Sequence, residues 1–491
     1  MKNLVMAVCV LGLCSLKVVA QTAPNDASNG MDIVLHGDIA REKYFTHEML
    51  AFTVPPGVQR MNVTLESPGF AKGMYLTVGM FDPERYRGEG RSVFTLSAVD
   101  ATGPYLLGPI ISGVWHIAIG YNYVAPGLKG EFTVKIHLSR QLDPETYPVL
   151  NKTAGWYKGD LHSHTGRTDA MCKSQSGTNV PCPPSQLLAA AASQGLDFLA
   201  VTDHNSQATF NEMQQDQLYY DKMLLIAGEE VTTVKGHANV WGTEGFLDYR
   251  VAGNGFTAND LFDQAHTLHA LVSINHAYWP WDGHCPGCGW AWDTDFSKVD
   301  AIEIINGYNE QGSWFKPPPG NGIPFWEAQL AKGLRPTGVG GGDEHRAGEQ
   351  LALHDGVGIP TTVVYARELS QPAVLEGIKA GHVYVMVGGP DGTPLYLNAE
   401  GAMMGDAIVA SSGKSVTFKL TTRSVTGAKL RLLVDGKDVG ELPQMQLQGR
   451  DSTCSYDWKS DGKRHWVRAE LDDLQGDSMT LTNPIYVNWG Q

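Results

Sequence analysis

Cysteine is scarce: seven in 491 residues, two of them, Cys9 and Cys14, within the first twenty. The one close pair, Cys285-Pro286-Gly287-Cys288, has no second Cys-x-x-Cys to complete a zinc knuckle, which favours a disulfide there over a metal. After residue 20 no segment approaches the roughly 18 to 20 uninterrupted apolar residues of a bilayer-spanning helix, so no membrane span is expected. Positive charge is in deficit as well. Lysine and arginine total 37 against 52 acidic residues, for a net charge of −15, and such a surface repels nucleic acid and anionic membrane. Internal repeats and low-complexity tracts are also lacking.

The length suggests two or three domains. Residues 1–20 read as a signal peptide, with Lys2, an apolar run from Leu4 to Leu16, and small residues at Val18-Val19-Ala20. Export to the periplasm or the extracellular space is the expectation, and cleavage would take the net charge to −17 by removing Lys2 and Lys17. In an oxidising compartment Cys172 with Cys182 and Cys285 with Cys288 are natural disulfide pairs, leaving Cys454 over. Residues 21–150 alternate short β-rich runs with turn clusters, as a β-sandwich does. Residues 151–394 alternate strands with helical segments, the pattern of an α/β barrel or a parallel sheet. Residues 395–491 return to short strands, fitting a smaller sandwich of immunoglobulin type. The fold class expected is therefore multidomain, α/β plus β.

Five apolar runs in the middle third end in metal-ligand residues: Gly159-Asp160-Leu161-His162-Ser163-His164, Leu199 to Asp203-His204, Leu224 to Glu229-Glu230, Leu271 to Asn275-His276, and Gly338 to Asp343-Glu344-His345. Ligands delivered by strand ends converge on one pocket in α/β barrels. His162 and His164 straddle one residue, so on a strand both imidazoles project to one face. Asp169 follows in the next loop, within reach of the same cluster. Asp203 stands beside His204 as an acceptor to orient it. Glu230, with Glu229 as the competing choice, supplies the carboxylate that a multi-metal hydrolytic centre needs between its cations. His237 and His276 add nitrogens. Asp343 and His345 lie on one face of an extended segment, behind glycines that permit close backbone approach.

These motifs resemble those of the polymerase and histidinol phosphatase (PHP) superfamily of metal-dependent phosphoesterases, and most of all its carbaryl hydrolase-like branch. The resemblance runs over about Tyr157 to Gly389. It implies a distorted seven-stranded β/α barrel with flanking β-sandwiches, holding two or three divalent ions of zinc, manganese or iron. Carried over motif by motif, it implies His162, His164, Asp169, His204, Glu230, His237, His276, Asp343 and His345 as the ligands. Glu230, His237 and Asp343, together with Arg346, are the expected catalytic residues.

The segment Tyr278 to Trp292 is longer than the family's turn and rich in tryptophan; it reads either as a disulfide-stapled lid over the pocket or as an apolar plug. His284 within it, and His266 and His269 on an expected helix, read as ordinary solvated or packing residues. Arg167 and Arg346, beside ligand motifs, read either as clamps for an anionic group or as surface arginines. Asn306, in Ile302-Glu303-Ile304-Ile305-Asn306-Gly307, is placed to face the pocket. The expected activity is hydrolysis of a small aromatic or phosphorylated ester by water, first as a phosphoesterase. A carbamate or carboxyl ester hydrolase is the second reading and a non-catalytic surface-binding protein the third. Oligomeric state is not legible from these residues.

Overall fold

The computed structural model describes residues 30–144, 147–252, 255–279, 287–307, 322–348, 356–423, 428–442, 446–448 and 451–489. The expected signal peptide, Cys285 and His284 lie outside these residues. The chain divides into two compact units, one ending at Leu142 and the other starting at Asp143.

The first unit consists of two four-stranded antiparallel sheets, 30–40/129–139/60–66/93–97 and 47–54/113–124/74–81/86–89. Period-two alternation explains why they pack. In Arg60–Glu66 the buried Met61, Val63 and Leu65 interleave with the less buried Asn62, Thr64 and Glu66. The inward residues of both sheets, among them Val63, Leu65, Trp115, Ile117, Phe132 and Ile136, share a single apolar core.

The second unit carries the ligand motifs. Its strands β1 (Gly155–Asp160), β2 (Phe198–Val201), β3 (Leu224–Thr233), β4 (Gly236–Trp241), β5 (Leu271–Ile274), β6 (Ala301–Asn306) and β7 (Thr337–Gly341) lie side by side in that order. Neighbours run parallel within β1–β2–β3 and within β5–β6–β7, and β4 is antiparallel to both of its neighbours. The two ends of this run meet. Asp343 N–H donates to the His162 carbonyl at 2.7 Å, His164 N–H donates to the Glu344 carbonyl at 3.0 Å, and Ser163 and Glu344 form a parallel bridge. β2 and β5 are buried along their whole length, which is why they read as continuous apolar runs rather than alternating ones.

Among the described residues five α-helices connect or flank the strands: α1 (Pro184–Ser193), α2 (Phe210–Asp216), α3 (Ala258–Thr267), α4 (Ile323–Ala331) and α5 (Gln371–Lys379). Proline opens α1 where a missing N–H costs nothing. A reciprocal Thr257/Asp260 capping box starts α3. His266 lies in α3 and pairs with Asp300, whereas His269 falls beyond the end of the helix, exposed and with φ 60°.

The C-terminal strands are continuous with this sheet. β8 (Thr361–Ala366) pairs with β1, β9 (Val383–Met386) with β8, and residues 478–482 continue the ladder on β9 through Tyr384↔Thr482 and Met386↔Thr480. A separate five-stranded sheet, which includes 395–399 and 415–423, packs over that extension. Leu397, Phe418 and Leu420 meet Val467, Ala469 and Leu471 there, together with Val363 and Tyr384 of β8 and β9. The last hundred residues therefore form two layers, one of them an outgrowth of the central sheet. Pro394 marks a change of sequence pattern and no break in packing.

Asn483 fastens this junction. Its Oδ1 accepts the Gly338 N–H at 2.8 Å, and its Nδ2 donates to the Gly338 and Val383 carbonyls at 2.8 and 3.0 Å. Asn483→Ala removes the side-chain partner of the buried Gly338 N–H and carbonyl of β7, while the Val383 carbonyl keeps the backbone N–H of residue 483 at 3.1 Å, and a destabilisation of about 2 to 4 kcal/mol is expected. Urea unfolding measures it; a midpoint equal to wild type would show that the junction does not depend on this side chain.

Candidate metal centre

The ligand motifs come together at the end of the sheet where β1 and β7 finish. β1 ends at Asp160, and His162 and His164 follow it; His204 follows β2, Glu230 lies within β3, and His276 follows β5. Because β4 is antiparallel, its first turn delivers His237 to the same end. Strand alternation decides between the two neighbouring glutamates. Glu230 enters the cluster, whereas Glu229 faces away and accepts a hydrogen bond from Gln207.

The distances are short. The Glu230 carboxylate has His204 Nδ1 at 2.8 Å, His276 Nε2 at 3.2 Å, His162 Nε2 and His237 Nδ1 at 3.3 Å, and His164 Nε2 at 3.5 Å. Asp343 Oδ1 lies 3.0 Å from His164 Nε2, 3.3 Å from His162 Nε2 and 3.5 Å from His345 Nδ1. Asp169 reaches His345 Nε2 at 3.4 Å and His204 Nε2 at 3.6 Å. All nine sequence-derived ligands thus belong to one cluster, whose donors fall into overlapping groups: His162/Glu230/His276, His162/His164/Asp343, His204/Glu230/His237 and His164/Asp169/His204/His345.

The residues fit divalent ions. Among the described residues nine buried side-chain atoms have no hydrogen-bond partner, and five of them are here: His162 Nε2, His164 Nδ1, Glu230 Oε2 and both ring nitrogens of His237. Groups this costly to bury are retained where something else satisfies them. Two backbone positions point the same way, since His276 at φ 27° and Asp343 at φ 50° both hold left-handed conformations that side-chain-bearing residues rarely adopt. The left-handed backbone at Asp343 interrupts the extended segment expected from sequence, and both Asp343 and His345 meet the cluster. Burial raises the Glu230 carboxyl, but the charges of His162, His204 and His237 outweigh it and hold the group well below the usual carboxylate range. Burial, followed by the charge of His345, pulls His164 down to about 4. For His204 burial opposes protonation, yet Glu230 and Asp169 raise it to about 10.

Three supporting residues had no role in the sequence reading. Glu303 on β6 accepts from His162 Nδ1 at 2.7 Å, from the His276 N–H at 3.0 Å and from Asn306 Nδ2 at 2.8 Å. It thereby fixes the His162 tautomer with Nε2 turned to the cluster. Asp160, buried and pushed up to about 6 by that burial, accepts the backbone N–H groups of His162, Gly342 and Gly358. Asn275 donates to Glu230 at 2.9 Å. The sequence signal for Glu303 was a lone carboxylate in an otherwise apolar run. The last glycine of β7 and the one that follows it make room for these carboxylates: a Cβ on Gly341 would come within 2.2 Å of Glu303 Oε2, and one on Gly342 within 2.2 Å of Asp160 Oδ2. Asn306 faces the pocket as expected and donates to Asp343 at 3.1 Å.

Some expectations change. Asp203 does not serve His204; its carboxylate accepts from Thr165 N–H, Thr165 Oγ1, Thr168 Oγ1 and Thr209 Oγ1, and so holds the loop that carries Asp169. His204 Nδ1 instead has Thr232 Oγ1 at 2.5 Å beside the Glu230 carboxylate at 2.8 Å. Arg167 is exposed and ion-paired with Glu212, and Arg346 is exposed beside His345. In the aromatic segment Trp290 and Trp292 pack against the core around Phe262 and Ile302, while Trp279 lies 5.5 Å from the His276 ring. The first two belong with the plug reading, whereas Trp279 and the Cys288 carbonyl, 3.2 Å from His276 Nδ1, border the cluster. Cys172 and Cys182 form a disulfide, Cys454 is free and buried, and Cys288 is disulfide-bonded, so its sulfur is no thiolate ligand for the nearby His237 and His276. No helix among the described residues is long and apolar enough to cross a membrane. No protein family, curated protein or solved structure matches the chain.

Two measurements probe this centre. Burial raises Glu229 to about 7 from 4.5. The folded state then holds a proton that the unfolded state has lost, so stability falls as pH rises from about 4.5 to 7, by about 3 kcal/mol at most. Glu229→Gln should flatten that slope in denaturation curves at several pH values, and an unchanged slope would place the cause elsewhere. Glu303→Ala should weaken zinc binding by about 10- to 100-fold in chelator competition with folding intact; an affinity equal to wild type would remove Glu303 from the centre.

Proposed function

We propose that this chain is an exported metal-dependent hydrolase of the PHP superfamily and that its first activity is that of a phosphoesterase. The observation that carries the reading is the convergence of six imidazoles and three carboxylates around buried, unpartnered donor atoms at one end of the sheet. The hydrogen bonds between the segments that follow β7 and β1 support a seven-stranded barrel of the PHP type, and the Cys172–Cys182 disulfide supports an oxidising destination. His162, His164, Asp169, His204, Glu230, His237, His276, Asp343 and His345 would hold two or three ions of zinc, manganese or iron, ligation that suits all three. Bound divalent ions supply Lewis acidity and bring the pKa of water near neutrality. Glu230 lies between the donor groups and balances cationic charge from the centre of the cluster. His237, which burial keeps toward its neutral form, offers ring nitrogen for a proton near neutral pH. Arg346, exposed next to His345 in the segment after β7, is the residue proposed to meet an anionic substrate group.

A second reading, a carbamate or carboxyl ester hydrolase, draws on the engagement of Arg167 by Glu212, which leaves one arginine fewer for phosphate, and on the Trp279 ring beside His276. Metal analysis of the purified protein, with matched phosphate monoester, phosphate diester, carboxyl ester and aryl carbamate substrates, separates the two. Metal-dependent phosphate ester turnover is expected, falling at least about a thousandfold in His162→Ala, as removal of a ligand shared by two donor groups implies. Turnover of carbamate or carboxyl ester alone would establish the second reading. Protein that carries ions and turns over none of the four would leave the non-catalytic one.

A further inference from the structure

The nine ligands are not equally enclosed. His162 and His164 have fully buried side chains, Glu230 is 1 % exposed, His276 2 % and Asp343 8 %. His345 is 17 % exposed, His204 24 % and Asp169 58 %. The outer three meet His164 in one donor group of their own. Asp169 and His345 come from separate loops, and neither loop belongs to a strand of the central sheet.

A small disulfide-closed hairpin joins those two loops. Met171–Lys173 and Asn179–Pro181 pair as antiparallel strands, and the Cys172–Cys182 bond closes them. On one side, Met171 N–H donates to the His345 carbonyl at 2.8 Å. On the other, Cys182 N–H donates to the Ala170 carbonyl at 2.8 Å, next to Asp169, and its own carbonyl accepts the Gly166 N–H at 2.6 Å. The approach at Gly166 is so close that a Cβ there would lie 2.3 Å from the Cys182 nitrogen. Both cysteines are buried, in a cluster with Leu187, Leu188 and Ala347. A pair of three-residue strands is marginal by itself, so the covalent closure is what keeps the hairpin in register.

Resting on the metal-centre reading above, we infer that the Cys172–Cys182 disulfide is a positioning element for one ion of the centre: it holds Asp169 and His345 at the outer position, while the inner donors are set by the sheet without it. The outer ion depends on the disulfide and the inner ions do not. Nothing in β1, β3, β5 or β6 is hydrogen-bonded to the hairpin among the described residues, whereas the loops bearing Asp169 and His345 both are.

The test compares zinc(II) titrations of metal-free wild type with those of a Cys172→Ala/Cys182→Ala variant and of disulfide-intact Asp169→Asn, with bound ion counted by mass spectrometry after desalting. Both variants should bind one equivalent about 10- to 100-fold more weakly, with the remaining equivalents unchanged. A folded double variant that binds every equivalent as wild type does, or that weakens all of them alike, overturns the inference; a purely structural disulfide would shift melting without singling out one ion. Should the double variant not fold, zinc-loaded wild type is reduced with a phosphine, which becomes its oxide as water supplies oxygen and the disulfide becomes two thiols. Release of one equivalent into a chromogenic chelator supports the inference, and release of none, or of all in one phase, overturns it. Wild type that takes up no zinc, manganese or iron removes the metal-centre reading and this inference with it.

Discussion

The structure depends on a carboxylate buried among imidazoles. Glu230 has five histidine rings within 3.5 Å and almost no contact with solvent. Removing so many polar groups from water is expensive unless charge and hydrogen bonds compensate. Much of the surrounding architecture supplies that compensation. Asn275 donates to Glu230, Glu303 fixes His162 and the His276 backbone, and Asn306 joins Glu303 to Asp343. Gly341 and Gly342 leave the volume that Glu303 and Asp160 occupy. The cluster constrains the strand ends as much as they position it.

Stability and chemistry are separated in space. Apolar residues of β2, β3 and α5 fill the layer beneath the centre, and the C-terminal strands extend the sheet through β9, so the polar end is braced by a wide apolar body. This division matters for the strained residues. Left-handed backbone at His276 and Asp343 persists only where surrounding contacts over-determine it, and each has such contacts: Glu303 on the His276 N–H, and the His162 carbonyl on the Asp343 N–H.

Residues that sit on apolar runs were legible in sequence. His162, His164, His204, Glu230, His276, Asp343 and His345 each follow or interrupt a buried strand, and hydrophobic patterning places the ends of such strands well. Glu303 was not legible in this way, because one acid inside Ala301–Asn306 carries no local mark of its partner His162, 141 positions away. Asp160 was quoted within its motif and its work still missed, since two of its three donors, Gly342 and Gly358, are 182 and 198 residues distant. The junction at β9 escaped for the same reason: Tyr384 pairs with Thr482 across a change in sequence pattern that resembles a domain boundary. Local pattern reports which face of an element is buried and says little about which distant group meets it there.

That distinction bears on the reading of the protein as a non-catalytic binder. A module that recognises partners through its sandwiches needs a stable body, and apolar side chains at the end of the central sheet would provide one at lower cost than six imidazoles and three carboxylates. Here the costly groups are supported at every level: a dedicated carboxylate behind His162, a loop held by Asp203 for Asp169, and a disulfide hairpin bonded to the backbone beside Asp169 and at His345. Two glycines and two left-handed ligand residues add constraints that packing alone does not require. Such investment at a single end of the sheet is what preorganised chemistry demands, because donors must hold their places before a substrate arrives. It weighs for a hydrolytic centre over a recognition surface.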